Sequence, residues 1–342
     1  MRTTNITYAI LIAATFGSVL PKAKACSCVF LNNDSQQMIV GRTFDLYIDD
    51  KPRLVFYPRG AERSGAEGAN NAVHWVSKYA SIGVLSLEEG NSDGLNEKGL
   101  AAHLLYLDGT KYEPTDERPI IASPATWAQY VLDTCATVPD ALAALAKVRV
   151  AEIKAAGRDW PLHLAMEDAS GDSAIIEYVN GKMVVLHGKE YTVMTNEPSM
   201  DVQLANRSKY KLFGGSLAMP GDIDPASRFV RASSYLKTMA KPANADEAAL
   251  YVLGVMRTTM VPQGAEDTGH SGAADTWPTR WTTISDLHNR RMYFQSAGSP
   301  NIPWVDLEKL AASTEMLSVL AGPSLHGEIS GQFTKFTPKQ KD

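Results

Sequence analysis

The chain has 342 residues, of which 44% are hydrophobic and 21% are charged, and this composition is typical of a globular protein. The formal net charge is −5 and no basic run is interleaved with aromatic residues, which excludes nucleic acid or an anionic membrane as the main partner. No apolar run of about 18 residues occurs beyond the N-terminal region, so we expect no membrane span there.

Residues 1–25 are typical of a secretory signal peptide. Arg2 supplies a short positive start, residues 8–20 form an apolar region, and Ala23-Lys24-Ala25 places small residues at a cleavage site. We therefore predict cleavage after Ala25 and a periplasmic or secreted mature chain.

A lipoprotein signal is the alternative, because a cysteine follows the cut directly. Lys24 beside the cut and Ala23 in place of a branched apolar residue argue against lipid attachment. Cleavage removes three basic residues, so Lys+Arg falls from 33 to 30 against 38 Asp+Glu, and the mature net charge becomes about −8. Residues 26–342 are predicted to form one domain with a frayed tail over about 330–342.

The cysteine after the cut, Cys26, is the first candidate for chemistry. The other two cysteines are Cys28, too close to Cys26 for an easy bridge, and Cys135, which has the setting of a core cysteine on a helix. Cleavage would give Cys26 a thiol and a free α-amine, whose pKa is about 7.7–8.0, so the amine can take the thiol proton. The alternative is that Cys26 is merely the first residue, although cysteine is rare at an exposed terminus.

The remaining elements alternate between strands and helices. Strands are predicted over 38–48, 53–60 and 74–87, then after the Asn-Glu-Lys-Gly turn at 96–99, in a meander over 162–188, over 191–198 and in a hairpin over 280–297. Helices are predicted over 123–157, with a break near Pro139 and Asp140 as the second cap, over 225–240 and over 244–259. Regular β–α–β alternation is absent, so we predict an α+β fold of antiparallel sheets layered with helices.

Two short motifs are given structural interpretations. GNSDG at 90–94 matches the nucleophile elbow, but a strand follows instead of a helix, so a polar loop is expected. Asp267-Thr268-Gly269 resembles half of an aspartic protease site, but it lies in a polar run without a second copy and is interpreted as a loop.

No metal or other cofactor is expected from the sequence. The seven histidines include no H-E-x-x-H arrangement, and no second Cys/His pair completes a zinc site with Cys26 and Cys28. His103, in the apolar segment AAHLLYL, is interpreted as a core or pocket-lining residue.

Arg42 and Asp45 are the second candidate pair. A spacing of three on a strand places their side chains on opposite faces unless a bend or bulge intervenes. A surface ion pair is one interpretation. The functional interpretation needs both groups turned toward Cys26, with Arg42 stabilising the thiolate and Asp45 holding the α-ammonium.

With these residues the chain resembles the choloylglycine hydrolase family of N-terminal nucleophile hydrolases. The resemblance rests on Cys26, Arg42-Thr-Phe-Asp45, Gly94-Leu-Asn-Glu-Lys-Gly-Leu100, Thr195-Asn196-Glu197-Pro198 and Trp277-Pro278-Thr279-Arg280, in family order and spacing. It implies an αββα four-layer sandwich, hydrolysis of a linear amide of a small molecule without a cofactor, and a homo-oligomer, a tetramer in the family. Penicillin V acylases and conjugated bile salt hydrolases are members.

The resemblance also implies roles for individual residues. Cys26 is the nucleophile and its amine the base, with Asp45 positioning the amine and Arg42 against the sulfur. Asn196 supplies an oxyanion-hole N–H, and Arg280 completes the charged cluster.

Tyr106 occupies the second oxyanion and substrate position. Bile salt hydrolases carry Asn there and Gram-positive penicillin V acylases carry Tyr, so Tyr106 favours an aryl- or alkyl-acyl amide. The leader matches Gram-negative penicillin V acylases, some of which also take N-acyl homoserine lactones. A conjugated bile salt hydrolase and an exported lipid-anchored, non-catalytic binding relative are the alternatives.

Overall fold

The computed structural model describes residues 26–32, 37–88, 90–122, 126–155, 158–264 and 277–338. The expected signal peptide and the Asp267-Thr268-Gly269 segment lie outside these residues. None of the helices within the described ranges is long and apolar enough to cross a membrane.

Two large antiparallel sheets dominate the described chain. The six-stranded sheet has the order β16 (Val193–Thr195), β1 (Cys26–Leu31), β2 (Ile39–Asp45), β17 (Thr279–Asp286), β18 (Arg291–Ser296), β19 (Trp304–Asp306). The nine-stranded sheet has the order β15 (Lys182–His187), β14 (Ser173–Val179), β13 (Leu162–Asp168), β8 (Leu100–Tyr106), β7 (Gly90–Asn96), β6 (Ser81–Ser86), β3 (Arg53–Tyr57), β20 (Leu317–Leu320), β21 (Thr334–Lys335).

Short strand pairs and helices complete the described elements. The pairs are β4 (Glu62–Ser64) with β5 (His74–Val76), β9 (Ile120–Ile121) with β10 (Arg149–Val150), and β11 (Lys154–Ala155) with β12 (Arg158–Asp159). The helices are α1 (Trp127–Thr134), α2 (Val138–Leu145), α3 (Met200–Arg207), α4 (Pro225–Thr238), α5 (Ala245–Thr259) and α6 (Leu307–Leu310).

The layers follow the order helix, sheet, sheet, helix. Helices α4 and α5 pack on the outer face of the six-stranded sheet, and α1 and α2 pack on the outer face of the nine-stranded sheet. Strands β1 and β8 face each other across the middle. Every residue of β1, β2, β6 and β13 is buried, because each sheet is covered on both faces. The predicted α+β four-layer sandwich is confirmed.

Glycines allow the helices to approach both sheets closely. A Cβ on Gly41 of β2 would lie 2.6 Å from Val252 Cγ1 and 2.7 Å from Met256 Cγ, both of α5. On the other sheet, a Cβ on Gly94 of β7 would lie 2.6 Å from Leu132 Cδ1 of α1. The helix layers are therefore set at a distance that only glycine permits at these two positions.

The second predicted helix is shorter than expected. It ends at Leu145, and Arg149–Val150 pairs with β9, because the segment KVRV carries β-branched residues whose buried side chains suit a strand better than a helix. Its cap is Thr137, whose hydroxyl accepts from the Asp140 N–H at 3.3 Å, so Asp140 lies in the first turn and is not the cap.

Two more segments form regular structure where the sequence predicted a loop or a frayed tail. Residues 90–94, expected as a polar loop, form the start of β7 because the segment pairs with β6 through a bulge. In the predicted frayed tail, Ser330–Gln332 form a 3-10 turn and Thr334–Lys335 pair with β20. The predicted meander and helices α4 and α5 are confirmed.

Candidate active site

Cys26 is the first residue of β1, a strand in the interior of the six-stranded sheet. It pairs with Phe44 of β2, while its neighbour Ser27 pairs with Thr195 of β16. Only 5% of Cys26 is exposed. A chain cut after Ala25 would therefore begin inside the fold, at a position fixed by two neighbouring strands.

Arg42 approaches Cys26 from the space between the two sheets. It pairs with Cys28 across β1 and β2, so it shares the face on which Cys26 lies. Its Nη2 donates to the Leu104 carbonyl of β8 at 2.9 Å, and its guanidinium lies 4.6 Å from the centre of the Phe44 ring. These contacts fix the guanidinium beside the thiol.

Asp45 reaches the same place from the end of β2. The register between β2 and β17 shifts between Thr279 and Trp281, and this bulge lies opposite Asp45. Arg42 is fully buried and only 1% of Asp45 is exposed, which rules out a surface ion pair. Both side chains line one pocket with Cys26, as the functional interpretation required.

A second arginine, Arg228 of α4, completes the cluster from the helix side of the sheet. Its Nη1 donates to the Cys26 carbonyl and to the Ser27 hydroxyl, each at 2.7 Å. Its Nη2 donates to Asn196 Oδ1 at 3.0 Å. Arg228 is fully buried, so these polar contacts offset the cost of taking its charge out of water.

Asn196 follows β16 and contacts the cysteine main chain. Its Oδ1 accepts from the Cys26 nitrogen at 2.5 Å, and its Nδ2 donates to the Tyr106 carbonyl at 2.7 Å. Arg228 also donates to Oδ1, so the donors and acceptors around the amide fix its orientation. Asn196 therefore links the nitrogen of the nucleophilic residue to the end of β8.

The thiol and the carboxyl group have shifted pKa values with stated causes. Burial raises the pKa of Cys26 to about 11, with Arg42 and Arg228 lowering it and Asp45 raising it. Burial also raises the pKa of Asp45 to about 7, against the opposing effects of Arg228, the Thr279 hydroxyl and Arg42. Neither Asp45 oxygen makes a well-oriented hydrogen bond within the described residues.

Arg280 lies on β17 at the bulge opposite Asp45. Its Nε donates to the Leu46 carbonyl at 2.7 Å, which is the main chain next to Asp45. The guanidinium that donates to the Cys26 carbonyl is that of Arg228. The role of Arg280 in completing the charged cluster stays a prediction.

An apolar pocket opens beside Cys26. Apart from Cys26, Arg42, Asp45 and two serines, its walls are apolar or aromatic and come from Phe44, Leu46, Leu87, Gly90, Leu104, Tyr106, Trp160, Leu162 and Trp277. The Tyr106 and Trp277 rings meet edge to face with centroids 5.9 Å apart. Such walls suit a flat or aliphatic group next to the sulfur.

Arg228 is the site residue that sequence reasoning missed. It lies in the segment PASRFVRASSYLKT of α4, which has the pattern of an amphipathic helix. The available signal was its position on the side of the helix that carries Phe229 and Ala232, since a charged residue there requires buried partners. The sequence does not reveal those partners, because Cys26 and Ser27 lie 202 and 201 residues away and Asn196 lies 32 residues away.

The fold and a sequence comparison together define the class. Residues 26–318 match the profile of the linear amide C-N hydrolases, choloylglycine hydrolase family, and the chain belongs to this family. Its fold is the αββα sandwich of N-terminal nucleophile hydrolases, and it is a hydrolase of linear amides.

Individual relatives refine this placement. The chain is 37% identical over 363 aligned residues to a penicillin V acylase from Pectobacterium atrosepticum, covering 96% of this chain and 94% of the relative. A penicillin V acylase structure from Agrobacterium tumefaciens superposes with a TM-score of 0.81 at 36% identity, covering 92% and 98% of the two chains. A bile salt hydrolase/transferase from Clostridium perfringens is more distant, at 23% identity over 83% of this chain and 93% of that protein.

Proposed function

We propose that the protein is an exported penicillin V acylase-like enzyme that transfers an aryl- or alkyl-acyl group from a linear amide to water through a thioester on Cys26. The observation that carries this proposal is the buried Cys26 at the start of an interior strand. Its nitrogen bonds Asn196, its thiol lies among Arg42, Asp45 and Arg228, and an apolar pocket adjoins it.

The α-amine acts as the base. With a pKa near 11 the buried thiol is protonated at neutral pH, so it needs a partner that removes its proton during attack. A freed amine on the same residue has a pKa of about 7.7–8.0 and is held by Asn196 Oδ1. Asp45 balances the ammonium that forms, while Arg42 and Arg228 favour the thiolate.

Asn196 and the end of β8 support the oxyanion. One N–H of the Asn196 amide donates to the Tyr106 carbonyl, and the second N–H of the same group serves the developing negative oxygen. A preorganised donor of this kind contributes about 10²–10³ in rate. The Tyr106 N–H is the second proposed donor, and the Tyr106 ring contacts the acyl group.

The reaction proceeds in two acyl transfers. The sulfur attacks the amide carbonyl, the C–N bond breaks, and the amine passes the thiol proton to the leaving nitrogen. Water then attacks the thioester, gives a proton back to the sulfur through the amine, and releases the carboxylic acid.

Penicillin V or an N-acyl homoserine lactone is the proposed substrate, ahead of a conjugated bile salt, and the support is that relatives at 36–37% identity are penicillin V acylases. Both favoured substrates join a compact polar amine to an aromatic or alkyl acyl group that fits between Trp160, Leu162 and Trp277. A bile salt hydrolase remains the second candidate, since more distant relatives carry that name. We propose that the mature enzyme works as a homo-oligomer in the periplasm or outside the cell.

A substrate panel tests this proposal. The kcat/KM values for penicillin V, a long-chain N-acyl homoserine lactone and glycocholate are measured side by side on the processed enzyme. We expect penicillin V or the lactone to exceed glycocholate by about tenfold or more, which is about 1.4 kcal/mol of transition-state binding. Equal or higher turnover of glycocholate would reject the penicillin V acylase-like assignment in favour of a bile salt hydrolase.

A further inference from the structure

A second buried cluster lies between the sheets, two residues along β1 from the proposed nucleophile. Cys28 comes from β1, His103 from β8 and Glu167 from β13, so both sheets contribute. The exposed fractions are 2%, 1% and 3%. The acyl transfer derived above uses none of these three side chains.

The polar atoms of these three residues lie close enough together to bind one metal ion after small side-chain movements. Cys28 Sγ lies 3.9 Å from Glu167 Oε1, and His103 Nε2 lies 3.3 Å from Glu167 Oε2. One ligand atom from each residue falls within 4.8 Å of the others. In a tetrahedral zinc site the ligand atoms lie roughly 3.3–3.7 Å apart, because Zn–N and Zn–O bonds are about 2.0–2.1 Å and Zn–S bonds about 2.3 Å.

A neighbouring carboxylate orients the imidazole toward the cluster. Asp93 of β7 contacts His103 Nδ1, and the Thr283 hydroxyl donates to the other Asp93 oxygen. This leaves His103 Nε2 facing Cys28 and Glu167, the arrangement in which a carboxylate supports a metal-binding histidine. His103 Nε2 and Glu167 Oε2 make no well-oriented hydrogen bond within the described residues.

We propose that Cys28, His103 and Glu167 form a structural site for a zinc-like divalent cation that cross-links the two sheets beneath the active site. Thiolate and imidazole ligands select such a cation over Mg²⁺ or Ca²⁺. One Glu167 oxygen faces Cys28 and the other faces His103, so the carboxylate can bind the cation through either oxygen together with the thiolate and the imidazole. The sequence predicts no metal because its three ligands are scattered along the chain.

Refolding with and without metal tests the site. The mature Cys26→Ala chain, which removes the active-site thiol, is refolded from denaturant with Zn²⁺, with Co²⁺ or with a chelator. We expect about one zinc per chain after gel filtration, a higher Tm than in the chelated sample, and a thiolate-to-cobalt absorption band in the near ultraviolet.

Single substitutions separate this site from adventitious binding. Cys28→Ser and His103→Gln should remove the cobalt band and the bound zinc. The matched controls are Cys135→Ala, at a buried thiol elsewhere, and His163→Gln, at a buried histidine whose Nδ1 lies 3.6 Å from Glu177. Both control variants should retain the cobalt band and the bound zinc. If a ligand variant does not fold, the zinc stoichiometry and the cobalt band of the Cys26→Ala chain still decide.

Two results would overturn the proposal. One is a folded Cys26→Ala chain that retains less than about a tenth of an equivalent of zinc after refolding with it. The other is a cobalt band that persists in Cys28→Ser. Either result would leave His103 as an imidazolium held between Asp93 and Glu167.

Discussion

Cys26 lies where two arginines from different layers meet. Arg42 enters from the space between the sheets and Arg228 from the helix layer, and both favour the thiolate in a position where burial disfavours it. Because these groups are held by main-chain contacts, a substitution at the sulfur alone changes the chemistry more than the fold.

Substitutions of the single residue Cys26 test its role as the nucleophile. Cys26→Ala removes the thiol, and we expect turnover of penicillin V to fall by at least about 10³-fold, since the thioester cannot form. Cys26→Ser retains at most a trace, because a hydroxyl is far less acidic than a thiol. Cys135→Ala, which alters a buried cysteine between α1 and α2, should leave turnover within about twofold. Full activity in a correctly processed Cys26→Ala enzyme would disprove the assignment.

Strand β2 shows how an element serves both packing and chemistry. Its inner face presents Arg42 and Phe44 to the site, and its outer face carries Gly41 directly under α5. The bulge with β17 then places Asp45 beside the thiol. A change in the packing of α5 is therefore expected to affect stability first, while the contacts of Arg42 remain.

Glycine substitutions test the close packing of α5. Gly41→Ala places a Cβ against Val252 and Met256, and we expect a loss of about 1–3 kcal/mol in the free energy of unfolding, measured by urea denaturation. The matched control is Gly254→Ala within α5, where no heavy atom lies within 4 Å of the added Cβ. That variant should gain about 0.5–1 kcal/mol from helix propensity. An unchanged urea midpoint for Gly41→Ala would contradict this expectation, because it would show that α5 moves to accommodate the added methyl group with no loss of stability.

At the scale of the whole molecule, the proposed export and the proposed catalysis depend on the same event, because the expected cut creates the α-amine that the mechanism needs. Asp45, with its pKa near 7, would gain a further cation beside Arg228 and Arg42 when the Cys26 nitrogen becomes an amine. An ammonium beside it lowers the Asp45 pKa, and the pair then shares one buried site. The uncut precursor is therefore expected to be inactive.

Measuring the intact mass of the exported chain tests whether activity depends on cleavage before Cys26. We expect the mass of residues 26–342 with an unmodified Cys26, together with loss of activity in a chain that keeps residues 1–25. A diacylglycerol on Cys26 would instead support the lipid-anchored alternative. The same measurement on Cys26→Ala shows which agent makes the cut, since a self-processing enzyme would leave that variant uncut.

The sequence by itself determined the class of fold, the nucleophile candidate and its nearest partners. Alternating apolar residues and turn signals predicted the sheets, and the cut before Cys26, with Arg42 and Asp45 close behind, predicted the centre of the site. These features are local, so short segments reveal them.

Only the tertiary structure decided the longer-range contacts. Arg228 bonds the Cys26 carbonyl across 202 residues of sequence, Arg280 turns to Leu46, and Glu167 comes from β13 to meet His103 of β8. Such contacts depend on strand order, sheet stacking and one bulge, and a one-residue change of register would move each side chain to the other face. The physical reason is that side-chain proximity across layers is set by packing, which no local pattern in the chain records.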